Sequence, residues 1–425
     1  MNRKLYVGAV VLVLLAALGI AASLLDKKAA VEAAAVQAPR FEVDPMWPKP
    51  LPNHWILGET IGVSVDGQDH IWIIHRAGSL EANERAGAAN PPNAQCCAPA
   101  PPILEFDEAG NLIGHWGGPG QGYDWPDSNH GITVDYKGNV WIGGNGRGAQ
   151  PARPAAAAPA SAADAQNSEN VSSGTASYND NMILKFTQDG KFLMQIGKPN
   201  HSKGSNDVEN LRLPAKTFID KQTNEVYVAD GYGNHRVIVF DAATGQYTRH
   251  WGAYGHTPDD ATLGPYDPNA PPAQQFRNPV HCAENSVDRF LYVCDRINDR
   301  IQVFKPDGTF IKEAFFNKAT KGSGSVWDIA FSKDPQQKYI FLADGMNDRV
   351  HIIDRNSLEI VTSFGEGGRQ PGEFYGVHSI SIDSKGNLFT TETWRGQRVQ
   401  KFVYKGMAPV TTKDQGVVWP KAAAK

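Results

Sequence analysis

The sequence predicts an all-β chain: a six-bladed β-propeller of four-stranded antiparallel blades, preceded by an N-terminal hydrophobic helix. Three observations predict it. One hairpin pattern recurs six times, its repeats of about 40–50 residues match the length of a propeller blade, and its apolar runs alternate with period two between turns rich in Asp, Gly and Asn. The inner hairpins span Ile61–Ile74, His130–Gly144, Lys216–Asp230, His281–Asp295, Trp327–Asp344 and His378–Glu392. The outer hairpins begin at Ile103, Met182, Arg236, Arg300 and Arg349, with a truncated sixth at Arg398–Gly406. That sixth repeat lacks its own fourth strand, so the segment near Phe41–Pro50 is expected to supply it and close the ring. The propeller is therefore expected over residues 41–410, followed by a tail at 411–425.

The bulk numbers agree with a globular body. Among 425 residues, 41% are hydrophobic and 20% charged, and the net charge is −4. Without a basic excess or a basic run, nucleic acid and anionic membrane surfaces are excluded as expected partners. The N-terminus differs from the rest. Arg3 and Lys4 precede the uncharged run Leu5–Leu25, and Asp26, Lys27 and Lys28 follow it. Spanning a bilayer takes about 20 apolar residues, so residues 1–28 are read as a signal-anchor or signal peptide and residues 29–40 as an Ala-rich tether. The body is then exported, either anchored in the membrane or secreted to the periplasm.

Four cysteines are too few for a disulfide-built scaffold. Cys282 and Cys294 lie symmetrically about a hairpin turn, whereas Cys96 and Cys97 are adjacent in a Pro-rich loop. Either pair could be oxidised in an exported protein. Three segments interrupt the repeats: Glu81–Pro102, Gly146–Asn179 with its low-complexity run Ala149–Ala165, and Tyr254–Gln275. Loops after the second and fourth strands emerge on one face of a propeller, so all three are expected to decorate the same end.

That end carries the candidate chemistry. The first strand of a blade lines the central channel. His130, His281 and His378 fall at or just before that strand in the second, fourth and sixth blades. Alternate blades of a six-fold ring give near three-fold geometry, and three imidazoles with an open fourth position form the ligand set of a catalytic zinc site. Arg76, Tyr232 and Arg296 lie at the top ends of second strands on the same face. Arg300 and Arg349 look like a recurrent third-strand arginine bonded between blades. The Trp-Gly pairs at Trp116 and Trp251 read as core packing at blade ends.

The motifs IIHRAG, NHGITVDYKGNVW, VADGYGNHRVIVF, CDRINDRIQVF and GVHSISIDSKGNLF resemble those of the peptidyl-α-hydroxyglycine α-amidating lyases, relatives of NHL-repeat propellers. The resemblance spans about Phe41 to Phe402. It implies a carbon–nitrogen lyase that cleaves a C-terminal α-hydroxyglycine of a peptide or small molecule, releasing an amide and glyoxylate. It implies zinc on His130, His281 and His378, Tyr232 as general base, and Arg76 and Arg296 as active-site arginines. It also implies a structural calcium, to which the backbone carbonyls of Val63 and Ile132 would contribute. The chain departs from the family pattern at Ser379, where that calcium site has an acidic residue, and at Gly376 and Gly233, where the family has methionine and a disulfide cysteine. The rival expectations are a non-catalytic NHL-type propeller binding a protein or glycan, a lactonase-type hydrolase with a calcium cage, and another zinc lyase or hydrolase.

Overall fold

A computed structural model describes residues 36–147 and 178–420, and these form six four-stranded antiparallel sheets. Five blades are built from consecutive strands. Blade 1 comprises Glu59–Val65, Ile71–Arg76, Ile103–Phe106 and Leu112–Trp116, and blade 2 starts with the inner strand Asn129–Val134. The inner strands of blades 3 to 6 are Lys216–Asp220, Val280–Asn285, Asp328–Phe331 and Val377–Ile382. The sixth sheet pairs its last strand, Arg398–Pro409, with Gln37–Val43. The closing strand thus comes from the N-terminal side as expected, but it begins at Gln37, inside the stretch read as tether, and ends at Val43. The apolar N-terminal helix and the run Ala149–Ala165 lie outside the described residues. No helix among the described residues is long and apolar enough to cross a membrane.

The repeated motif has a local cause. In the inner hairpin of blade 1, Asp66 Oδ1 accepts the backbone N–H of Gln68 (2.8 Å) and His70 (3.0 Å), while Oδ2 accepts Trp72 Nε1 (3.0 Å). Blade 2 repeats the construction: Asp135 takes Lys137 N, Asn139 N and Trp141 Nε1. One carboxylate therefore closes the turn and fixes a fully buried indole behind it. Trp116 and Trp251 pack between blades, against Phe186 and Phe304. Each indole lies over a turn glycine of the next blade, Gly190 or Gly308, where φ is positive and an added Cβ would sit 2.8–2.9 Å from the ring. These tryptophans seal blade boundaries.

The recurrent third-strand arginines tie blades together. Arg236 Nε bonds Asp230 Oδ2 (2.8 Å), and its other nitrogens reach the carbonyls of Ser205, Asp207 and Asn210 in the preceding connection. Arg300 repeats this with Asp295 (2.7 Å) and the Gln275 carbonyl. Arg349 departs from the pattern and pairs with Asp414, leaving Asp344 to His351. Both cysteine pairs are disulfide-bonded, Cys282–Cys294 directly across a hairpin and Cys96–Cys97 in the first insertion.

Candidate metal centre

The three inner strands that carry histidines share an irregularity. Ladder register shifts between His130 and Ile132, between Val280 and Cys282, and between Val377 and Ser379. A bulge re-aims the side chain at which it falls, and each of these falls at or beside a histidine. The result is that His130, His281 and His378, all buried, bring their rings to centroid separations of 4.8–5.1 Å. One nitrogen of each lies within 4.8 Å of the others.

Backbone acceptors fix two of the rings. His130 Nδ1–H donates to the Ala215 carbonyl (2.8 Å) and His281 Nδ1–H to the Trp327 carbonyl (2.5 Å). Each acceptor belongs to the next blade. With Nδ1 protonated, the Nε2 lone pairs of both rings are free to accept, the state a metal ligand requires. His378 Nδ1 is buried without a hydrogen-bond partner among the described residues. All three imidazoles are held well below the usual histidine range, first by burial, then by the Arg76 and Arg296 charges at His130, by Arg296 at His281 and by the neighbouring rings at His378. Neutral imidazoles with two preset tautomers and one unsatisfied buried nitrogen fit a metal ion.

Tyr232 lies against this cluster. Its Oη is 3.0 Å from Nε2 of both His130 and His281, and Arg296 Nη1 donates to it at 3.1 Å. The Arg296 guanidinium is buried over the Trp327 ring (4.6 Å) and faces the Tyr232 ring (5.4 Å). Arg76 takes a different place, on the His130 side. Its nitrogens bond Glu59 Oε2 (2.8 Å), Asn145 Oδ1 (2.8 Å) and the Asn129 carbonyl (3.1 Å), so its charge is balanced by Glu59. The sequence singled out the histidines, Tyr232 and Arg296, which meet. It missed Trp327, Glu59, Asn145 and the two carbonyl acceptors, which carry no motif of their own.

Val63 and Ile132 lie on the buried parts of the inner strands of blades 1 and 2. Among the described residues, the groups of three His, Cys, Asp or Glu side chains close enough to share an ion are the axial triad and Asp66, His70 and Glu105. Val63 N–H donates to Ser379 Oγ (3.4 Å), Ser379 Oγ donates to Asp328 Oδ2 (2.7 Å), and Asp328 is paired with Lys216 Nζ (2.8 Å).

Above Tyr232 opens a polar cavity of about 690 Å³ lined by Arg147, Asn179, Asn200, Lys203 and Arg212. Arg147 Nη2 donates to the Tyr232 carbonyl (3.3 Å). Much of this wall comes from the connection between blades 2 and 3.

The NHL repeat family model matches residues 211–240. The chain is 22% identical over 383 residues to peptidyl-alpha-hydroxyglycine alpha-amidating lyase 1 of Drosophila melanogaster. The match covers 85% of this chain and 59% of that protein, so the chain spans about three-fifths of its relative's length. Among solved structures, virginiamycin B lyase from Staphylococcus aureus is 14% identical with a TM-score of 0.43, covering 86% of this chain and 90% of that one. A streptogramin B lyase is 13% identical with a TM-score of 0.45, covering 87% and 98%. Scores this low carry no argument about activity. The chain is a six-bladed propeller with distant similarity to an amidating lyase.

Proposed function

We propose that this chain is a zinc-dependent carbon–nitrogen lyase acting on a peptide or small molecule that ends in an α-hydroxyglycine-like carbinolamide, with an amide and glyoxylate as products. The observation that carries this reading is the position of Tyr232 Oη, between the Nε2 atoms of two axial histidines and the guanidinium of Arg296. The distant similarity to an amidating lyase supports it.

A bound zinc ion would be held by His130, His281 and His378 and would supply Lewis acidity toward the substrate oxygen. Tyr232 takes the hydroxyl proton. The Arg296 guanidinium, donating to Oη at 3.1 Å, balances the negative charge of the phenolate that takes this proton. As the O–H electron pair becomes the new C=O bond, the C–N bond breaks. The departing amide nitrogen then recovers the proton from Tyr232. Arg296 is placed to face the carboxylate of the glyoxylate unit, for which a guanidinium fork is the fitting partner. The cavity above, with Arg147 and Arg212 on its wall, suits a polar and acidic extension of the substrate.

We further place the body outside the cytoplasm, held by an N-terminal anchor. The apolar run Leu5–Leu25 and the two disulfides support this. The test of the whole reading is metal content by mass spectrometry on the chain from Val36 onward, followed by a glyoxylate-release assay on an N-acyl-α-hydroxyglycine. About one zinc per chain, absent from the His130/His281/His378 triple alanine variant, together with glyoxylate release, is the expected result. A protein that takes up no metal on reconstitution would instead be a binding propeller.

A further inference from the structure

The two carbonyls that orient His130 and His281 belong to residues whose neighbours in sequence meet each other. Ala215 precedes Lys216, and Trp327 precedes Asp328. Lys216 Nζ lies 2.8 and 2.9 Å from the two oxygens of Asp328, with Glu284 Oε1 at 2.9 Å on its other side. The lysine side chain is 12% exposed and that of Asp328 2%. This ion pair joins blade 3 to blade 5, and Glu284 of blade 4 braces it.

The third histidine is tied to the same point. Asp328 Oδ2 accepts Ser379 Oγ–H (2.7 Å) and the Ile380 N–H (3.1 Å), and Ser379 directly follows His378. One buried carboxylate is therefore one residue away from each support: Trp327 through its own backbone, Ala215 through Lys216, and His378 through Ser379. We propose that Lys216 and Asp328 are positioning residues for the histidine triad. They set the spacing of the Ala215 and Trp327 carbonyls, and through these carbonyls the Nδ1–H tautomer and ring orientation of His130 and His281. Buried ion pairs are poor sources of stability, because desolvation offsets most of their attraction, and their best-attested use is to fix geometry. Partners behind metal-ligating histidines shift metal affinity about 10–100-fold when removed.

The inference builds on the metal reading but is tested without it. The full-length protein is labelled with ¹⁵N-histidine and stripped of metal. In the wild type His130 and His281, their signals assigned from the His130→Ala and His281→Ala variants, are expected to be locked as Nδ1–H tautomers. Lys216→Met, and the charge-free variant Lys216→Met/Asp328→Asn/Glu284→Gln should the single change misfold, are expected to show tautomer mixing at both. Zinc affinity measured against a competing chelator is expected to fall about 10–100-fold in the same variants, and the visible spectrum of the cobalt-loaded protein to change. Unchanged tautomers in a folded variant would overturn the proposal. Changed tautomers in a protein that binds no zinc even as wild type would uphold the positioning role and sink the metal reading instead.

Discussion

Among the described residues, two clusters could hold a metal by count of ligands alone, and they differ in what surrounds them. The axial triad consists of three buried imidazoles kept neutral, two with Nδ1 committed to carbonyls and one with a buried nitrogen that has no hydrogen-bond partner among the described residues. The second cluster, Asp66, His70 and Glu105, sits at a blade hairpin with its bonds already made. Asp66 accepts four donors, from Gln68, His70, Trp72 and Gln188. His70 Nδ1 is 2.9 Å from Glu105 Oε1. In blade 2 the same turn forms around Asp135 with Asn139 in the place of His70. The difference teaches that unspent lone pairs, rather than the number of acidic or imidazole groups, mark a metal site.

The comparison breaks if the triad can be removed without consequence. His281→Ala is expected to abolish stoichiometric zinc and all turnover while the propeller stays folded, read by metal analysis and circular dichroism. A mutant that keeps one zinc per chain would mean the ion sits elsewhere. Tyr232→Phe separates chemistry from binding. It is expected to retain the metal and to lose roughly 10²–10⁴-fold in kcat, the usual contribution of a general base. Full rate in this variant would remove Tyr232 from the proton path.

The triad was legible in the sequence because repeats convert position into geometry. Once the blades were aligned, His130, His281 and His378 stood at equivalent places in alternate blades. Arg300 was legible as a blade tie for the same reason. What could not be read depends on contacts between residues of unremarkable type. The acceptors at Ala215 and Trp327 are backbone atoms, which any residue supplies. Lys216 and Asp328 are 112 residues apart, and no local pattern links them. Arg76 stands in the sequence as a candidate active-site arginine, and only the fold shows Glu59 and Asn145 enclosing it. The closing strand was read too late in the chain because Gln37–Arg40 continues an Ala-rich stretch and holds Pro39, a residue tolerated at a sheet edge.

A fourth buried histidine sharpens the contrast, because His75 has partners at both ring nitrogens. Its Nδ1 accepts the Gly58 N–H (3.1 Å) and its Nε2–H donates to the Pro101 carbonyl (3.0 Å). Burial lowers its pKa to about 4, against an ordinary value of 6.5, with the backbone carbonyls opposing. Since the folded pKa is the lower one, the unfolded chain binds the proton first on acidification. The stability due to a neutral His75 is therefore present above pH 6.5 and is lost as pH falls toward 4. The loss amounts to about 3 kcal/mol over that window. Denaturant melts between pH 7.5 and 4.5 should show a shallower pH slope for His75→Gln than for the wild type, with zinc content at pH 7.5 the same in both. Parallel slopes would mean that His75 takes up its proton in the native state as readily as in the unfolded chain.

The smallest effect is expected at the second cluster. If His70 is a turn residue, His70→Asn reproduces what blade 2 already has at Asn139, and the Asp66 turn should close as before. The hydrogen-bonded pair with Glu105 is only partly buried, the side chains being 27% and 16% exposed. Pairs of this kind contribute about 0–1 kcal/mol. Zinc stoichiometry should be unchanged, and the denaturation midpoint should move by no more than this amount implies. A loss of metal on His70→Asn would place the ion at the hairpin. It would also reverse the lesson drawn from the two clusters, since a saturated carboxylate would then have given up Trp72 or Gln188 to bind it.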